Sequence, residues 1–269
     1  MKTTNLILLA ATLGISMVFT SCEKVQNESD PVVAGIEDDA VAEDLYNNVF
    51  DEAGEITQDD VSLKSTSADN GSRVITHVTN GDGSRDITVV YTNWNNPRTH
   101  RNNVLNGTIL IHEEGYFYGE TYERRVELQD FFINEIQVKG VKEVVKIAQD
   151  TYSIRLTGGV LLFADSTTYT REFDYVFTIA EGSDTPLNIW DDVYEVSGTA
   201  TGIDRKGRDY TFEIISPLVR NMNWRFLIKG LIDITVGDTE SQLDFGNGEF
   251  DNLAYITYEG EIYTIKLGR

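Results

Sequence analysis

From residue 73 to the end of the chain, apolar, aromatic and β-branched residues recur at every second position, and short polar or glycine-bearing breaks separate the runs that carry them. A pleated strand points successive side chains to opposite faces, so this period predicts strands that bury one face each. The runs are 73–79, 86–92, 104–113, 122–132, 135–138, 141–147, 152–157, 160–164, 167–179, 193–201, 209–215, 225–236, 241–245, 253–258 and 262–267. Breaks such as Asn80-Gly81-Asp82-Gly83, Gly158-Gly159, Arg205-Lys206-Gly207 and Glu259-Gly260 are too short for a helical crossover and suit hairpins. The expectation is an all-β fold, an antiparallel meander forming a curved sheet, a sandwich or a partly open barrel, because twist accumulates across so many strands. A faint echo at an offset of 41 to 42 residues, Tyr152-x-Ile154 to Tyr169-Thr170 against Tyr194-x-Val196 to Tyr210-Thr211, suggests two hairpins of similar design.

One segment before the strands has a different period. Between residues 38 and 54, Val41, Leu45 and Val49 recur at steps of four, and Ala42, Tyr46 and Phe50 form the adjacent row. These two rows make one face of an amphipathic helix, with Asp38 or Asp39 placed to cap its start and Gly54 to end it. Such a face is too apolar to stay in water alone, so the helix is expected to dock on the strands that follow.

The charge is uneven. The 269 residues hold 22 Lys and Arg against 44 Asp and Glu, a formal charge of −22, and residues 22–70 carry 14 of the acids with only two bases. Acidity on this scale disfavours nucleic acid as a partner, and the single Cys excludes an intrachain disulfide framework. Residues 22–37 read as an acidic tether and 55–72 as a linker, on either side of the helix at 38–54, with the β-domain over 73–269.

The first 21 residues read as an export signal. Lys2 supplies the positive start, and the apolar run from Leu6 to Phe19 is 14 residues long, short of the ~20 that a spanning helix needs. The run ends in Thr20-Ser21-Cys22, and Cys22 is the sole cysteine. A thiol behind two small residues at that place suits alkylation by a diacylglyceryl group, with cleavage leaving Cys22 as an acylated first residue. Several acyl chains on one residue, palmitate among them, hold a protein on a membrane stably. The membrane is thus an expected partner through Cys22, and Glu23, Lys24, Glu28 and Asp30 follow just behind it.

Chemistry-bearing motifs are few. Asn80, Asp82, Ser84 and Asp86 alternate as in a calcium loop, but residue 91, where a bidentate Glu is expected, is Tyr91. Asp244, Asn247, Glu249, Asp251 and Asn252 form a second oxygen-rich stretch, and in both places the turn chemistry of Asn, Asp and Gly is the better explanation. His77, His100 and His112 share no ligand spacing, so no metal or other cofactor is expected. There is no Gly-x-Ser-x-Gly elbow and no phosphate-binding loop. Asp130, Asp165, Asp191, Asp192 and Glu213 are conceivable glycosidase carboxylates, yet exposure on an acidic surface explains them as well. The ligand candidates are aromatic: Trp94 in the polar stretch Asn93-Trp94-Asn95-Asn96, with Trp190 and Tyr91, offers faces on which a sugar stacks, while Trp224 reads as core.

The last third carries Asp191-Asp192-Val193-Tyr194-Glu195-Val196-Ser197-Gly198, Ser216-Pro217-Leu218-Val219, Trp224, and Asp244-Phe245-Gly246-x-Gly248-x-x-Asp251-Asn252-x-Ala254 running to Gly260-x-x-Tyr263-x-Ile265-x-Leu267. With the segment ending at Cys22, these residues resemble a set of uncharacterised β-rich lipoproteins of Bacteroidota. The resemblance implies a β-rich fold and a place in the cell envelope, at the outer membrane, and brings no activity with it. It also implies that a disulfide of the relatives is replaced by packing here, where Phe250 and Met222 or Asn223 stand. The reading is a lipid-anchored envelope lipoprotein with a non-catalytic binding or structural β-domain, its partner a glycan or an envelope protein. The alternative is a glycan-binding or glycan-processing protein of the envelope.

Overall fold

The structure, a computed structural model, describes residues 31–58, 66–68, 71–95, 103–185, 188–224 and 226–267. The leader, Cys22, the tether to residue 30, and Asn96, Pro97 and His100 lie outside the described residues. A helix, α1 (Pro31–Gln58), precedes fourteen strands. These are β1 (Thr66–Ala68), β2 (Gly71–Thr79), β3 (Arg85–Trp94), β4 (Leu105–Gly115), β5 (Tyr122–Ile133), β6 (Ile136–Ala148), β7 (Thr151–Leu162), β8 (Thr168–Glu181), β9 (Val193–Ile203), β10 (Asp209–Asn221), β11 (Lys229–Val236), β12 (Thr239–Asn247), β13 (Leu253–Tyr258) and β14 (Glu261–Lys266). Each strand pairs with its neighbours in sequence, as short hairpin connections require, giving one antiparallel meander in the order β1 to β14 that does not close into a barrel.

Two of the expected breaks are absent. β6 runs straight through Gly140, and β7 through Gly158-Gly159, which was expected to be a hairpin turn. These glycines sit at register shifts instead, between Lys139 and Val141 and between Leu156 and Gly159. Similar shifts interrupt β3 with β4, β4 with β5, β5 with β6 and β9 with β10. An extra residue in one strand bends it and raises the local twist, so a row of such shifts curls the sheet. At one of them a Cβ on Gly107 would lie 2.2 Å from the Asp130 carbonyl oxygen, so that crossing tolerates no side chain.

The curl closes on α1. The helix packs on β5, β11 and β12, Tyr46 donates to the Lys139 carbonyl of β6 at 2.9 Å, and Glu52 accepts from Arg73 of β2 at 3.0 Å and Tyr91 of β3 at 3.3 Å. The helix is buried on its polar row, Asp39, Glu43, Asn47 and Glu52, as well as on its apolar row, so strands cover it on more than one side and the sheet curls around it. Ala42, Leu45, Tyr46, Val49, Phe50, Ala53 and Ile56 are buried against the inward side chains of the strands. The core therefore fills the space between helix and sheet.

Wrapping explains where the helix departs from expectation. It runs from Pro31 to Gln58, past Gly54, where the 38–54 reading ended it, and into the stretch read as linker, which also contains β1. Asp38 and Asp39 lie inside the helix, so neither is its cap. Val41, assigned to the apolar face, is 46% exposed, whereas Asp39, Glu43, Asn47 and Glu52 are buried. An amphipathic helix on a flat sheet would show water its polar side; this one has strands on that side too.

Candidate functional site

The aromatic residues singled out in the sequence do not meet. Trp94, expected at the surface, is 4% exposed, with the Arg73 guanidinium 5.3 Å from its ring centre. Tyr91 is buried, edge-on to Phe131 and hydrogen-bonded to Glu52 of the helix. The bulge between Tyr91 and Trp94 turns both rings inward, so both belong to the helix seat and present no face to solvent. Trp190 alone stands out, 62% exposed on a single turn of 3-10 helix, Ile189–Asp191, between β8 and β9.

The oxygen-rich stretches are turns. Asp82 accepts the backbone N–H and the hydroxyl of Ser84 at 3.0 and 2.7 Å, and Asn80 donates to Asp86 at 2.8 Å. Asp244, Asn247 and Asp251 each accept the backbone N–H two residues ahead. This is the Asx-turn bond that makes Asp and Asn turn residues. Among the described residues no three His, Cys, Asp or Glu side chains gather as metal ligands.

In a meander, successive turns alternate between the two ends of the sheet. The turn between β9 and β10 lies at the end where α1 enters, since the Arg205 N–H donates to Asp38 at 3.3 Å. The loops after β4, β8 and β10 lie at the opposite end, here called the mouth. Phe117 of the first loop folds inward and stacks on Tyr152, ring centres 4.3 Å apart, while the Tyr152 hydroxyl donates to the Phe117 carbonyl. Lys146 donates to the Gly119 carbonyl and pins the same loop. The loops after β8 and β10 are joined by the Met222 N–H, which donates to the Asp192 carbonyl at 3.0 Å. Trp224 of the latter loop is half-buried and packs with Phe250, ring centres 5.9 Å apart, and its indole N–H donates to the Asp251 carbonyl.

Three polar side chains lie beneath these loops. Tyr194 donates to Asp192 at 2.6 Å, and Arg220 lies directly across from Tyr194 in the β9–β10 register. Asp192 is 2% exposed, unlike the surface carboxylate that its acidic neighbourhood predicted. Burial raises its carboxyl above the ordinary range, opposed by the Tyr194 bond and reinforced by Asp191. Burial likewise raises the Tyr194 phenol, with Asp192 adding to the effect, and raises the Tyr118 phenol nearby to about 12. Burial also lowers Arg220, with Tyr194 acting against it. Among the described residues no carboxylate pairs with Arg220, and its buried Nε has no hydrogen-bond partner. Gly182 makes room for the arrangement: with φ at +88°, a Cβ there would stand 2.3 Å from the Asp192 Oδ1.

The sequence reading missed Arg220 because Ser216-Pro217 looked like the end of a strand. β10 instead bulges there, between Ile214 and Leu218, and continues to Asn221. A bulge is one of the few places where a strand accepts proline. The legible signal was alternation resuming beyond the proline at Leu218, Arg220 and Met222. Comparison with family models, curated proteins and solved structures gives no match.

Proposed function

We propose that this protein is a lipid-anchored lipoprotein of the bacterial cell envelope, at the outer membrane, whose curled sheet is a non-catalytic binding module used at its mouth. One observation carries the reading: the helix enters the sheet at the end opposite the mouth. From Asp38 the helix continues for seven more residues to Pro31, about 10 Å of rise. A chain arriving from a membrane at Cys22 would thus leave the mouth facing away from the lipid. The polar groups of the mouth favour binding over acid–base or nucleophilic chemistry, because the Tyr194 proton is already committed to Asp192. A glycan is the ligand class favoured by Trp190, whose exposed ring is flanked by Asn188 and Asp191.

Mass spectrometry of the protein purified from its own cells tests the anchor. The expected amino-terminal peptide starts at Cys22 and carries a diacylglyceryl thioether and an amide-linked acyl chain. Cys22→Ala should move the protein from the membrane to the soluble fraction. A bare Cys22 behind an intact leader overturns the reading.

A further inference from the structure

We infer that Arg220 is the receptor for the carboxylate of a small, singly charged organic ligand that enters between the loops following β8 and β10. The inference rests on the binding-module reading and adds the ligand's chemistry. Four other interior-facing arginines are answered by acids: Arg73 by Glu52, Arg85 by Glu113, Arg171 by Asp39 and Glu43, and Arg208 by Asp204. Arg220 has none among the described residues, in a chain with twice as many acids as bases. A largely desolvated guanidinium costs stability unless paired, and such a cost is retained where a ligand supplies the missing charge.

The surroundings narrow the ligand. Arg220 is partly exposed, so solvent-borne molecules reach it. Its fork of N–H groups matches a carboxylate in two-point geometry. Tyr194 opposite it offers no free proton, because that proton is held by Asp192, so the guanidinium is the donor that a ligand meets. With Asp191 and Asp192 on the same loop, a doubly charged phosphate meets repulsion that a carboxylate halves. Tyr118 and Trp190, on the loops that frame the entrance, suit a ligand with an organic body.

The test is calorimetric titration of the purified full chain at low ionic strength with glucuronate, acetate, glucose and inorganic phosphate. Glucuronate should bind about tenfold or more tightly than glucose, and acetate more tightly than phosphate, the factor expected of a charge-assisted hydrogen bond. Arg220→Gln should abolish the preference of glucuronate over glucose, and Arg220→Lys should keep part of it. Thermal melting supplies an independent readout, in which Arg220→Gln leaves the midpoint unchanged or raises it, while Arg171→Gln lowers it. Carboxylates that bind no better than glucose, or an Arg220→Gln midpoint that falls as far as that of Arg171→Gln, overturn the inference. Neither result touches the state of Cys22, so the anchor stands or falls separately.

Discussion

Among the arginines that point into the curled sheet, Arg171 from β8 and Arg220 from β10 are surrounded differently. Arg171, at the helix seat, is 4% exposed and bonded to Asp39 and to Glu43 at 3.0 Å, with Tyr169 completing Asp39 at 2.8 Å. Arg220, at the mouth, faces a phenol and no acid. A buried charge is tolerable when its partners are covalently present and exclude water together, which is the condition that an acidic helix creates around Arg171. Identical side chains on the same sheet thus serve to lock one end and to leave the other unsatisfied. Binding sites are drawn from the second kind of place.

The comparison is broken most directly by removing each charge. Arg171→Met removes the guanidinium that Asp39 and Glu43 share and is expected to cost about 3–5 kcal/mol in urea unfolding. Phe50→Ala, which empties a fully buried position on the same helix, should cost a similar ~3–5 kcal/mol, while Val41→Ala at the exposed position should stay within about 0.5 kcal/mol. Tyr46→Phe, which removes the bond to the Lys139 carbonyl, should cost about 1 kcal/mol. Arg220→Met is expected to leave stability unchanged or raise it by up to about 1 kcal/mol, and a loss as large as that at Arg171 would make the two arginines equivalent.

Acidity sharpens the contrast. The folded state holds the Asp192 proton more tightly than the ordinary carboxyl value of 3.8. The folded form is therefore favoured below that value, and stability falls as pH rises from there through the raised folded value. Asp192→Asn should flatten this part of the stability–pH curve, as read by denaturant midpoints from pH 4 to 7. The smallest effect lies on the outer surface. His112, bonded to Asp86 at 2.7 Å, is raised from 6.5, and Asp86→Asn should bring its NMR titration midpoint back down.

Strand existence and the antiparallel meander were legible from alternation and short breaks, because pleating and hairpin geometry act within a few residues of each other. Where the reading failed, a local signal had two outcomes. Gly158-Gly159 makes a turn or a bulge with equal ease, and only the register offered by β6 and β8 decides between them. Trp94 looked exposed among asparagines, but the bulge before it rotates the ring beneath Arg73. Gly54 looked like a helix end, but the wrapping strands stabilise the helix on both sides of it. At the mouth, Trp190 could be read from its polar loop, whereas Asp192 and Arg220 could not, since nothing local tells an enclosed acid from the many exposed ones.

The sequence by itself determined the period of each element, the order of pairing and the acidity of the segment that becomes α1, all of which depend on near neighbours along the chain. Only the tertiary structure decided that the sheet curls around the helix, that helix acids become partners of strand arginines, and that Arg220 is left over. Those outcomes depend on which charges are removed from water together. Desolvation is a property of the whole enclosure, and no stretch of residues carries it alone.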